Sequence, residues 1–198
     1  MLKELKRKIC RKINEMYYTD EKIAKVLSEG TKAHVNEDED GIIVTIDCVR
    51  CFDAYDLAMI ESEEKGSTEI DILGVTMVFD VNDIYIAYAV DTIKENLFNL
   101  NPLTVWSEIT DIAKHEAFHA RQYRYILKRG GLAAVEKVRK YMRSTDYDEN
   151  IIELGAYIYQ FYGKEQDLAE LYDILCAEEA AESEGVGAVA AAHSATAH

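Results

Sequence analysis

The chain has 198 residues, 48% of them apolar, one proline and a formal net charge of −15, enough for one ordinary domain with a real core. That acidity repels nucleic-acid backbones and anionic headgroups, so neither nucleic acid nor membrane is an expected partner. No apolar run approaches the ~18 residues of a membrane-spanning helix, and the charged N-terminus lacks the apolar stretch of a secretory signal. A cytoplasmic location is therefore expected, with Cys10, Cys48, Cys51 and Cys176 as free thiols.

Residues 2–17 read as a helix with Leu2, Leu5, Ile9 and Ile13 on one stripe. Asp20 can cap a second helix ending near Gly30. Asn36 to Gly41 is an acidic turn without the ligand spacing of a calcium loop. Gly41 to Val49 is a strand, Glu61 to Thr68 a turn, and Glu69 to Asp80 and Asp83 to Asp91 are strands joined by a tight turn at Val81–Asn82. These predict a meander of three to four antiparallel strands. After Thr92 the chain turns helical. Asn101 caps and Pro102 opens a helix that runs to Arg129 and is stopped by Gly130–Gly131. Leu132 to Arg143, Asn150 to Tyr162 and Gln166 to Ala181 are further helices. The fold class is thus α+β: N-terminal helices, a small antiparallel sheet, then a helical half. Residues 1–182 form one domain, and residues 183–198, reduced to small residues and His, form a mobile tail.

The helix from Val105 to Leu127 carries an anomaly. Positions 105, 109, 112, 116, 119, 123 and 126 share one face and read Val, Ile, Ile, Glu, His, Tyr, Ile. Glu116 and His119 interrupt an apolar stripe, and His115 lies one turn before His119. Burying a carboxylate and imidazoles costs several kcal/mol unless they are paired or ligate a metal. Histidines at i and i+4 can reach one Zn²⁺, and Glu116, beside the first of them, can accept a proton from metal-bound water.

A catalytic zinc takes three protein ligands. His34 lies early, before the sheet, and no third His follows His119 closely. Glu153, on the border of the packing edge made by Ile152, Ala156 and Tyr159, is the expected third ligand, with Asp146, Asp148 and Glu149 as alternatives. Small Gly155 and Ala156 let that helix approach another closely.

His115-Glu116-x-x-His119, then Gln122, then Glu153-x-x-Ala156 on a later helix resembles the gluzincin metallopeptidases, and is most similar to their small intracellular and phage-borne versions. The resemblance covers about residues 83–162. It implies a minimal zincin-like fold and zinc-dependent hydrolysis of peptide bonds in a peptide or protein substrate, with His115, His119 and Glu153 as ligands and Glu116 as general base. Three positions depart from the family pattern, one of them Arg121, which stands where many of these helices carry an apolar residue. The family's second acidic residue is Gly155 here, and the Asp that orients a zinc-bound His is Tyr157, whose oxygen can accept from an imidazole N–H. Tyr147, Tyr157 and Arg121 are candidate oxyanion donors. The resemblance also implies that the strand Asp83 to Asp91 is a sheet edge binding extended peptides.

Two other readings are a zinc-stabilised binding module that has lost catalysis and an acidic nucleic-acid mimic. Cys48-Val-Arg-Cys51 ends a strand rather than opening a helix, and no second C-x-x-C exists, so structural thiols are expected there.

Overall fold

The computed structural model describes residues 2–35, 41–63 and 72–175. It is an α+β fold in the order α1 (Leu2–Tyr17), α2 (Asp20–Val35), β1 (Ile43–Val49), α3 (Ala54–Glu63), β2 (Gly74–Asp80), β3 (Asp83–Ala89), α4 (Val90–Leu97), α5 (Pro102–Ser144), a 3₁₀ turn (Tyr147–Glu149) and α6 (Ile151–Tyr162). Residues 168–175 are again helical. The acidic turn at 36–40, most of the turn at 61–68 and the tail at 183–198 lie outside the described residues.

The sheet differs from the expected meander. β2 and β3 form the anticipated hairpin through Val81–Asn82, with a register shift between Val78 and Asp80. β1, however, pairs parallel to β3, Ile43 opposite Asp83 through Val49 opposite Ala89, so the order is β1-β3-β2. A parallel neighbour requires a crossover, and α3, which the sequence reading left out, lies on it. β3 is therefore the central strand, not the expected edge. Ile84, Ile86 and Tyr88 join the main core beneath α2 and α5, while Ala87 meets Val75, Met77 and Ile60 of α3 in a smaller cluster.

α5 is the axis of the molecule. Asn101 caps it by accepting from the Leu103 amide, and Pro102 occupies its first turn, where its missing N–H is no loss. It breaks at Gly131, whose φ of 61° is one L side chains avoid. Val105, Ile109, Ala113, Ala117, Tyr123 and Ile126 are buried along it, each large apolar side chain contributing roughly 1.5–3 kcal/mol. α2 does not end near Gly30; it continues to Val35. A Cβ on Gly30 would stand 3.0 Å from the Ala113 Cβ, so this glycine lets α2 approach α5 rather than stopping it. Buried Arg124 of α5 donates to the carbonyls of Val35 and Ile42, tying the end of α2 and the approach to β1 to the central helix. α6 starts at the Asn150 cap and ends at left-handed Gly163, and it packs along α5.

Candidate metal centre

The α5 face that reads Val, Ile, Ile, Glu, His, Tyr, Ile does point inward, and Glu116 and His119 are buried on it. α6 brings Glu153 to meet it. His115 Nε2 and His119 Nε2 stand 3.0 Å apart. Glu153 Oε2 is 3.3 Å from the former, and its Oε1 is 3.3 Å from the latter. Among the described residues, His115, His119 and Glu153 form a group that could hold a metal ion. Asp146, Asp148 and Glu149 are exposed and outside it.

The protonation of this group follows from amides behind it. Gln166 Nε2 donates to the Ile151 carbonyl at 3.0 Å, which turns Gln166 Oε1 toward Gln122. Gln122 Nε2 donates to that oxygen at 2.8 Å and to the Ile152 carbonyl at 2.9 Å. A carbonyl only accepts, so the orientation of Gln122 is fixed and its Oε1 faces His119 Nδ1 at 2.8 Å. Nδ1 must therefore carry the proton. In the neutral ring Nε2 is then a bare lone pair. Gln160 Oε1 stands 3.1 Å from His115 Nδ1, and with the proton on that nitrogen the His115 Nε2 presents a lone pair as well. Two ring lone pairs and a carboxylate then converge with no donor between them, which is unfavourable unless a cation sits there.

Without a metal, a proton takes that place. Burial would lower the His119 imidazole, but the Glu153 carboxylate, with help from Glu116 and Gln122, carries it up to about 10. Burial would raise Glu153, but His119 and His115 hold it well below the usual carboxylate range.

Gly155, the departure noted in the sequence, has a structural role. A Cβ there would collide with Gln166 Oε1 and stand 3.0 Å from Gln122 Nε2. The glycine makes room for the paired amides. Gln160, Gln166 and Thr76 were not singled out in the sequence. A glutamine two turns after a candidate ligand on an amphipathic helix is the only signal Gln160 gives.

Glu116 is positioned from the sheet. Thr76 Oγ1 of β2 donates to Glu116 Oε2 at 2.8 Å and lies 3.1 Å from the Glu116 carbonyl. Gly74 permits this: a Cβ there would be 2.9 Å from both Glu116 Cγ and Oε1. A cavity of ≈ 60 Å³, room for a few waters, is lined by Gly74, Thr76, His115, Glu116, His119, Tyr147 and Glu153 among others.

Tyr147 Oη donates to Glu153 Oε2 at 3.1 Å and is 3.0 Å from Tyr157 Oη. Burial and the Glu153 charge push the Tyr147 phenol upward, so it stays a donor. Tyr157 packs its ring 4.8 Å from that of His115. The oxygen facing the His115 N–H belongs to Gln160 instead. Arg121 is turned away, bound to Glu165 at 2.8 Å and stacked over Phe118 and Tyr159. His34 Nδ1 is hydrogen-bonded to Tyr159 Oη at 2.9 Å. Cys48 and Cys51 are free thiols. Burial and Asp47 push Cys48 up to about 11, which suits a structural rather than a redox role.

No family model, curated protein or solved structure matches this chain. No described helix is long and apolar enough to cross a membrane.

Proposed function

We propose that the chain binds one Zn²⁺ through His115, His119 and Glu153 and hydrolyses peptide bonds with Glu116 as general base. The observation that carries this reading is the convergence of two imidazoles and a carboxylate beside a second, separately held carboxylate. Ligand atoms about 2.0–2.1 Å from a tetrahedral zinc lie about 3.3–3.4 Å from one another; here the imidazole nitrogens are 3.0 Å apart and each is 3.3 Å from one of the two Glu153 oxygens. A histidine pair with one glutamate also leaves a fourth position open, as catalytic zinc sites do.

When bound, zinc supplies Lewis acidity and lowers the pKa of a coordinated water. The chain's own residues supply the rest. Thr76 occupies Glu116 Oε2, so Oε1 takes the proton of the attacking water and returns it to the amine nitrogen as the C–N bond breaks. Tyr147, which lines the cavity where Tyr157 does not, is the better placed donor to a developing oxyanion. Outer strand β2, whose Gly74, Val75 and Thr76 line the same cavity, replaces β3 as the edge along which an extended peptide would add.

A zinc-stabilised binding module is the second reading. It draws on the neutral amides behind both imidazoles, which raise ligand basicity less than carboxylates would. Glu116→Gln separates the two. In an assay with unstructured casein, the variant is expected to keep one zinc per chain and lose 10²–10⁴-fold in chelator-sensitive cleavage. Absence of cleavage by the zinc-loaded native chain would favour the binding module, and absence of zinc from it would sink both.

A further inference from the structure

The stripe of Leu2, Leu5, Ile9 and Ile13 does not pack on the core. Leu2 is 82% exposed, Leu5 54%, Ile9 51% and Met16 70%. α1 is held at its C-terminal end instead, where buried Asn14 donates to the carbonyls of Phe98 and Leu100 at 2.7 and 3.2 Å and Tyr18 donates to that of Pro102. Residues 2–9 are exposed on every side. At 100° per residue the five apolar residues occupy an arc of about 80°. Lys8 and Lys12 border it on one side and Lys6 on the other. Glu15 and Glu4 lie further round beyond Lys8, engaged by Arg11 and Arg7 at 3.0 and 3.1 Å. The helix holds six basic side chains against two acidic, a net of +4 in a chain of −15.

We propose that α1 is a docking helix for an anionic lipid bilayer. The overall acidity that argues against such a partner is an average; the charge on this element has the opposite sign. An apolar arc bordered by lysines is the pattern of a helix lying in the bilayer interface, its apolar side chains among the acyl chains and its lysines reaching back to the phosphates. Pairing the arc with that of a second copy would set these lysines against each other. A protein groove that wraps the helix is obstructed where Asn14 and Tyr18 tie it to the body, whereas a planar surface covers the arc alone. At physiological ionic strength charges more than about 8 Å from α1 are largely screened.

The test uses the full chain with extruded phosphatidylcholine vesicles, with and without about one third phosphatidylserine. Co-sedimentation is expected only with the anionic vesicles, and raised salt should weaken it. Each Lys→Gln at Lys6, Lys8 or Lys12 should lower binding about fivefold. The double variant Leu5→Glu/Ile9→Glu should lose it while keeping the native circular dichroism and zinc content, since both side chains are outside the core. The proposal is overturned if the native chain ignores anionic vesicles or if the double variant binds them equally well. It is also overturned if the native chain forms a dimer that the double variant dissolves, because a second copy then covers the arc.

Discussion

Gln122 is the residue through which the fold sets the protonation of His119, and replacing it in two ways separates its functions. Gln122→Leu removes the acceptor of the Nδ1 proton and also the donor to the Ile152 carbonyl and Gln166 Oε1. Losing an outer-shell partner of a metal-binding histidine costs 10–100-fold in metal affinity, about 1.4–2.7 kcal/mol. The groups left without partners at 1–3 kcal/mol each, less what relaxation recovers, suggest a stability loss of about 2–4 kcal/mol. At this size that is a fall in Tm of roughly 4–16 °C. Gln122→Glu keeps the acceptor toward His119 but sets an oxygen against two other oxygens. It should bind zinc within tenfold of the native chain and still lose stability without metal. Competition with a fluorescent zinc chelator gives the affinities, and the ¹⁵N shifts of His119 report which ring nitrogen holds the proton. If folded Gln122→Leu binds zinc as tightly as the native chain, or if His119 Nδ1 proves unprotonated in the native protein, the account of the relay is wrong.

His119→Ala should abolish zinc binding and destabilise the metal-free chain by about 3–5 kcal/mol, because Glu153 loses the buried imidazolium beside it; denaturant titration measures this. Metal affinity should rise with pH, about tenfold per unit wherever His119 binds one proton that the metal must displace. The metal-free chain should show a matching stability profile. The raised His119 contributes fully below its unfolded value near 6.5 and loses its contribution as pH climbs through about 10. The depressed Glu153 contributes above its unfolded value near 4.5 and loses its contribution as pH falls toward its folded value. Melting scans across pH check both limbs. Gly74→Ala should cost about 1–3 kcal/mol by overpacking and should reduce cleavage more than zinc content, a contrast that paired activity and metal assays resolve.

The helices other than α3 were legible because each announces itself locally. Asn101-Pro102, the Gly130–Gly131 break and the Glu116–His119 interruption are all readable within a few residues. The β2–β3 hairpin was legible for the same reason. The parallel pairing of β1 with β3 was not, because nothing in Ile43–Val49 distinguishes a parallel from an antiparallel neighbour; that choice is made by the crossover through α3. β3 did carry a hint of its central place in being apolar on both faces, Ile84, Ile86 and Tyr88 buried on one and Ala87 and Ala89 on the other. Gly30 misled, since a glycine marks a helix end or a close helix approach with equal economy. At the site, His115, His119 and Glu153 could be argued from spacing and from the border of a buried face. Thr76 and Gly74 could not, because their relation to Glu116 spans forty residues and a change of element.

That long-range relation separates two properties of the site. The candidate cation ligands come from α5 and α6, two helices packed on each other, whereas the proposed proton acceptor depends for its aim on a threonine and a glycine in an outer strand. Loosening β2 would leave an ion in place with nothing to aim Glu116, a protein that still titrates with zinc but does no chemistry. Under the proposed function, metal content would therefore report only on the helical pair, and catalytic competence would have to be followed through the state of the sheet.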